Sequence, residues 1–91
     1  MGKYDEVMQM AENLKFGSDL QKNEVVRTLE NLDSEGLVNI LEEARGIAND
    51  NTGDEQISRS IEYLINFIYS DLQTRFINSK LQRIKKTFSY R

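Results

Sequence analysis

The residues with the most distinctive chemistry are the basic side chains near the end of the chain. Residues 72–91 carry six of them and no carboxylate, whereas the fifteen acidic and six basic residues of positions 1–71 sum to minus nine. A basic segment attached to an acidic body is typical of an interaction element rather than of an evenly solvated surface. The six residues are Arg75, Lys80, Arg83, Lys85, Lys86 and Arg91.

The carboxylates form the second group of candidate reactive residues. Three adjacent pairs occur, at positions 5–6, 42–43 and 54–55. Adjacent side chains on a helix diverge by roughly 100°, so neither member of a pair can converge with the other on one reacting atom. The chain has no histidine, no cysteine and no glycine-rich phosphate loop. We therefore expect a protein that is not an enzyme and that has no cofactor.

The segment at residues 49–53 is rich in Asn and Asp and invites comparison with a calcium-binding EF-hand loop. Placing Gly53 at the sixth position of that loop puts Ala48 first and Arg59 twelfth. Calcium requires carboxylates at both of those positions. We therefore expect no metal site here.

The composition predicts an all-α fold. There is no proline, and helix-forming Leu, Glu, Lys, Gln and Arg are abundant. Apolar residues recur at helical spacing and predict four helices in a single domain over residues 1–91. The predicted helices are about 3–15, 19–32, 34–48 and 54–77, followed by a basic C-terminal helical segment, 79–90. Short connections favour an antiparallel four-helix bundle.

Several helix starts are predicted from capping signals. Ser18 with Gln21 and Thr52 with Glu55 have the spacing of a capping box, and Asp33 is a suitable N-cap for the third helix. Phe16 is expected to fold back onto the first helix. The predicted core is formed by the apolar residues that share one face of each helix: Val7, Met8, Ala11, Leu14, Val25, Leu29, Leu37, Ile40, Leu41, Ala44, Ile57, Ile61, Leu64, Ile65 and Ile68.

The last helix allows two interpretations. The apolar spacing continues from Ile57 to Phe88, which could form one helix about 50 Å long at 1.5 Å per residue. Alternatively, the helix bends or breaks near Asn78-Ser79, where Ser79 and Gln82 offer a third capping box. We favour the bend or break. If the helix is continuous, its distal half extends past the other three and needs a partner, most simply a second copy of the chain.

The distal segment is amphipathic when placed on a helical wheel. Four apolar residues lie within about 60° of one another at roughly 100° per residue, and three basic residues lie on the other side. The apolar residues are Ile77, Leu81, Ile84 and Phe88, and the basic residues are Lys80, Arg83 and Lys86.

Three interpretations of this segment remain open. Its apolar face can pack on the chain's own bundle, lie on an anionic membrane surface, or dock in a groove of a protein partner. We do not expect nucleic acid as a partner, because the acidic body would repel its backbone and no helix-turn-helix signature is present. The residues predicted to bind a partner are Arg75, Ile77, Lys80, Leu81, Arg83, Ile84, Lys85, Lys86 and Phe88.

The C-terminal half also resembles a known family. Residues 41–49 (LEEARGIAN) form an amphipathic segment, a polar loop follows, and Ile57 and Ile61 precede Leu64–Ile68 (LINFI). This pattern, which covers roughly residues 37–88, resembles the small immunity proteins that protect Gram-positive bacteria against class II, pediocin-like bacteriocins. The resemblance implies a cytosolic antiparallel four-helix bundle, with bacteriocin specificity in Arg75–Phe88.

The mechanism implied by the resemblance is a non-enzymatic one. Such a protein acts from inside the cell on a membrane-embedded sugar-transport receptor and locks the receptor–bacteriocin complex so that no pore stays open. The alternative from the residues alone is a small helical adaptor or inhibitor, encoded by a phage or mobile element, that binds a host protein or homodimerises through its C-terminal helix. Because no membrane span or signal peptide is evident, we expect a cytoplasmic protein, peripheral to the membrane if the basic segment binds there.

Overall fold

The structure is a computed structural model, and it describes the backbone of residues 2–89 and the side chains of residues 2–81. Four helices account for almost all of this part of the chain: α1 (Lys3–Phe16), α2 (Asp19–Asn31), α3 (Ser34–Asp50) and α4 (Glu55–Ser89). The predicted all-α four-helix fold is confirmed.

Local capping interactions determine where α2, α3 and α4 begin. The Ser18 hydroxyl accepts a hydrogen bond from the Gln21 N–H (3.3 Å), and the Gln21 side chain accepts one from the Ser18 N–H (2.9 Å), so this predicted capping box is confirmed. Asp33 caps α3 by accepting from the Gly36 N–H at 2.7 Å. The Thr52 prediction is wrong, because Asp54 accepts from the Ile57 N–H at the start of α4.

The fourth helix is the central element of the bundle. It packs on α1 and α3, and α1 also packs on α2 and α3. The connection at residues 51–54 reverses the chain, so α3 and α4 form an antiparallel hairpin. In contrast, Met8 lies beside Ile57 and Lys15 lies over the ring of Tyr63, so α1 follows α4 in the same direction.

The position of α2 explains why α1 and α4 can run in the same direction. The end of α1 lies near Tyr63, whereas the end of α2 lies near Arg75, whose guanidinium reaches the Leu32 carbonyl at 2.6 Å. Helix α2 therefore carries the chain further along α4 before α3 returns. Just after α3, the Asn51 side-chain amide donates to the Tyr4 hydroxyl at 2.8 Å and so joins this end of α3 to the start of α1.

One apolar core joins the four helices. Most of the predicted core residues are buried, Met8, Ile40, Ile57 and Ile65 are partly buried against the core, and Ile47 is buried although it was not in the predicted set. Phe16 is half exposed, so the prediction that it folds back onto α1 is wrong. The buried apolar residues are Val7, Ala11, Leu14, Val25, Leu29, Leu37, Leu41, Ala44, Ile47, Ile61, Leu64 and Ile68.

Helix α4 is continuous from Glu55 to Ser89. The favoured break at Asn78-Ser79 is therefore wrong, and the long alternative is correct. At 1.5 Å per residue its 35 residues span about 52 Å, which accounts for most of the 57 Å length of the molecule. The other three helices are less than half as long, so α4 extends beyond them.

Candidate binding surface

The part of α4 that extends past the bundle is the main candidate site. Arg75 is the last residue with a described contact to another helix, and every described residue after it is exposed. We call residues 76–89 the overhang. Its 14 residues correspond to about 21 Å of helix. No other helix flanks the described part of this segment, so its exposed side chains are available to a partner.

Arg75 marks the boundary between the bundle and the overhang. Its guanidinium donates to the carbonyl oxygens of Leu32 (2.6 Å), Leu29 and Glu30 (both 3.3 Å) at the end of α2. Its Nε also donates to Asp71 at 3.1 Å. The last carbonyls of a helix have no partner within that helix, and a cation is favourable there. Although Arg75 was predicted to bind a partner, its guanidinium therefore has a role within the fold.

Large apolar side chains are exposed at the beginning of the overhang. Phe76 is 61% exposed, Ile77 is 50% exposed and Leu81 is 51% exposed. Lys80 lies with its ammonium group 4.9 Å from the centre of the Phe76 ring, a cation–π contact. Three of the predicted binding residues, Ile77, Lys80 and Leu81, thus lie on one exposed turn of helix. The side chains of the other five, Arg83, Ile84, Lys85, Lys86 and Phe88, lie outside the described residues.

The apolar face of α4 changes sides where the bundle ends. Ile61, Leu64 and Ile68 are fully buried and define the direction from α4 to the core. At 100° per residue, Ile77 and Leu81 lie roughly 150° around the helix from that direction. The chain's own bundle therefore cannot cover them. Wheel analysis of the distal segment alone missed this switch, although a comparison of both halves of α4 would have shown it.

Among the open clefts beside α4, two are lined partly by aromatic side chains, and sequence reasoning identified neither. One, of about 400 Å³, is lined by the aromatic residues Phe16 and Tyr63 together with Lys15, Arg59, Glu62 and Asn66. The other, of about 270 Å³, lies between the end of α2 and α4 and is lined by Glu30, Phe67, Ser70, Asp71 and Thr74. Because the residues come from different helices, no local sequence pattern could have predicted these clefts.

Within the side chains that the structure describes, no group of three or more Asp and Glu residues is placed to hold a metal ion. No described helix combines the length and the apolar character that crossing a membrane requires.

Comparison of the chain with protein-family models, with curated proteins and with solved structures finds no match.

Proposed function

We propose that this chain is a non-enzymatic binding protein whose binding element is the overhang of α4. The observation that carries the proposal is the exposure of Ile77 and Leu81 on a helix face that points away from the chain's own core. Lys80 adds a positive charge beside them. A rigid helix with apolar anchors and a basic flank fits a groove that has an apolar floor and acidic or anionic edges.

Such a contact would gain a modest free energy from apolar burial, and electrostatic attraction would steer the partner towards it. Completing the burial of two half-exposed aliphatic side chains contributes about 1 kcal/mol each. The basic residues raise the rate of encounter with an acidic partner and fix the orientation more than they add affinity. Because the overhang is already helical, it loses little conformational entropy on binding.

The cellular role that we propose is the one implied by the resemblance, protection of a cell against a class II bacteriocin. The overhang begins just after Arg75, where the resemblance assigns specificity, and the rest of the chain is a small helical bundle. In this role the overhang contacts a membrane receptor complex, or the anionic surface around it, from the cytoplasmic side. The bundle then serves as the rigid base that holds the overhang.

A protection assay in bacteriocin-sensitive bacteria tests this role. Cells producing the chain should survive a class II bacteriocin, and survival should be lost when Lys80→Glu is combined with Lys86→Glu. The matched control is Lys3→Glu with Arg27→Glu, which makes the same charge change at two exposed body positions. Protection by both double variants would contradict the role assigned to the overhang, and sensitivity of cells with the unchanged chain would contradict the immunity role itself.

The continuity of α4 supports a second candidate function. A continuous helix that projects from a bundle suits an adaptor or inhibitor that docks on a soluble protein or on a second copy of itself. If this is correct, the chain binds its partner without any membrane component, and Ile77→Asp abolishes that binding. Co-purification of tagged chain with a soluble protein, lost on Ile77→Asp, would favour the adaptor role over immunity.

A further inference from the structure

A continuous uncharged stripe runs along the outer side of α4. Its described members are spaced alternately by four and three residues: Tyr63, Phe67, Ser70, Thr74, Ile77 and Leu81. All are exposed except Phe67, which is partly buried. In the sequence, Ile84 and Phe88 continue the same spacing.

This spacing averages 3.5 residues, the repeat that keeps one face of a helix against a second helix in a coiled coil. The stripe lies on the side of α4 that points away from the buried Ile61, Leu64 and Ile68. Beside the bundle, Lys15 of α1 lies over the Tyr63 ring and Phe67 packs partly against the core. The exposed part of the stripe, from Ser70 to Leu81, offers a packing seam for a further helix. From Tyr63 to Phe88 the stripe would be about 38 Å long.

Two copies of the seam can pair favourably in only one relative orientation. Parallel pairing of two copies would place two C-terminal ends side by side, and each end has six cations and no carboxylate over residues 72–91. Antiparallel pairing instead places each basic end along residues 63–74 of the other copy. There Glu30 and Asp71 line one cleft beside the seam, whereas Lys15, Arg59 and Glu62 line the other. The two basic ends are then separated, and each lies against a body whose net charge over residues 1–71 is minus nine.

We propose that two copies of this chain pair antiparallel through the outer face of α4, so that each overhang lies on the bundled half of its partner. The inference rests on the overhang being the binding element and names a second copy as its occupant. In the register that matches the stripe with itself, Thr74 lies opposite Ile77 of the second copy, and Ser70 lies opposite Leu81 of the second copy. The interface is isologous, as expected of a twofold dimer.

Solution mass with a matched pair of variants tests the pairing. The full chain of 10.6 kDa should give twice that mass by light scattering. Ile77→Asp should reduce the mass twofold and leave the helical signal unchanged, because Ile77 is outside the core. Val38→Asp, which places the same charge at an exposed apolar site on α3, should remain a dimer. A full chain that is monomeric throughout a dilution series would overturn the proposal, as would an Ile77→Asp dimer.

Cysteine cross-linking tests the direction, and the chain has no cysteine of its own. Ser70→Cys combined with Leu81→Cys should give a covalent dimer on mild oxidation. Neither single variant should form a covalent dimer. In the antiparallel pair, residue 70 of one copy lies roughly 16 Å along the axis from residue 70 of the other, and the same holds for residue 81. This separation is too large for a disulfide. Covalent dimers from both single variants would show parallel pairing and would overturn the proposed arrangement.

The outcomes separate this inference from the proposed function. A monomer whose overhang is still required for protection would overturn the pairing and leave the binding role of the overhang intact. A monomer that binds vesicles of anionic lipid through Ile77 would also overturn the pairing and would assign the face to a membrane surface. A confirmed dimer with protection unaffected by reversal of Lys80 and Lys86 would support the pairing and contradict the role of these two lysines in immunity.

Discussion

Arg75 differs from the basic residues that follow it because its guanidinium is used within the molecule. It satisfies carbonyl oxygens at the end of α2 and pairs with Asp71 on its own helix. Hydrogen bonds from a charged donor are among the stronger interactions in a protein. Arg75 therefore holds the end of α2 against α4.

We predict that Arg75→Ala lowers the free energy of unfolding by about 1.5–3 kcal/mol, because charge-assisted hydrogen bonds are lost and carbonyls at the end of α2 lose their donor. Urea denaturation followed by circular dichroism measures the change. Arg59→Ala is the matched control, since Arg59 forms an exposed ion pair with Glu55 on its own helix and has no described hydrogen bond to another helix. Its removal should cost only about 0.5 kcal/mol. Equal losses for the two variants would contradict the role assigned to Arg75.

Gly46 and Gly17 differ in the space that surrounds them. Gly46 lies exposed in α3, and a Cβ added there would meet nothing within 4 Å. Gly46→Ala should therefore raise the free energy of unfolding by about 0.5–1 kcal/mol, because alanine loses less backbone entropy in a helix. The contrasting variant is Gly17→Ala, whose Cβ would collide with the Asn13 carbonyl oxygen and should destabilise the fold. Thermal melts should show a higher melting temperature for Gly46→Ala and a lower one for Gly17→Ala.

Residue-level prediction from the sequence succeeded where the partners are close along the chain. The caps at Ser18 and Asp33 involve hydrogen bonds between residues three apart, so the sequence pattern contains both donor and acceptor. Arg75 bonds to carbonyls 43 to 46 residues away. No local pattern contains that information, which is why the sequence placed Arg75 with the binding residues.

At the scale of single elements, the continuity of α4 has a physical explanation. Ser79 and Gln82 match a capping box, but a capping box stabilises a helix start only if the preceding chain leaves the helix. Nothing at residues 78–79 ends the helix, since neither glycine nor proline is present there. Continuing the helix keeps each backbone N–H paired with a carbonyl, and the serine costs little in an exposed position.

We predict that proline has different effects in the two halves of α4. Asn78→Pro should remove roughly a seventh of the helical signal, since residues 79–89 fray once the helix is interrupted, and the bundle should still fold and melt cooperatively. Asn66→Pro places the same substitution at an exposed asparagine beside the bundle and should cost about 3 kcal/mol or more. Circular dichroism spectra and thermal melts measure both effects. Equal destabilisation would mean that the overhang is part of the cooperative bundle.

At the scale of the whole molecule, the apolar pattern predicted the number of helices and most of the core, because each helix buries one face. It did not predict that α1 runs alongside α4 in the same direction. Short connections alone suggest that consecutive helices pack antiparallel, but the path of α2 from Tyr63 towards Arg75 depends on contacts between distant residues. The change of apolar face along α4 is present in the sequence, but it can be interpreted only once the structure shows where the bundle ends.

Charge is distributed unevenly along the molecule. An acidic body occupies most of the 57 Å length, and a helix with a basic end extends from it. The bundle supplies its own core from residues up to Leu72, so the overhang contributes little to that core. The central claim is therefore that the bundle folds without the overhang and that the overhang serves for binding.

The most direct test is the solution mass of the full chain and of a chain that ends at Asn78, measured by light scattering with circular dichroism on the same samples. We predict a full-length dimer of twice 10.6 kDa and a truncated chain that is a folded, helical monomer. An unfolded truncated chain would show that the overhang belongs to the fold. A truncated chain that remains a dimer would show that the binding face lies elsewhere, and either result would contradict the account.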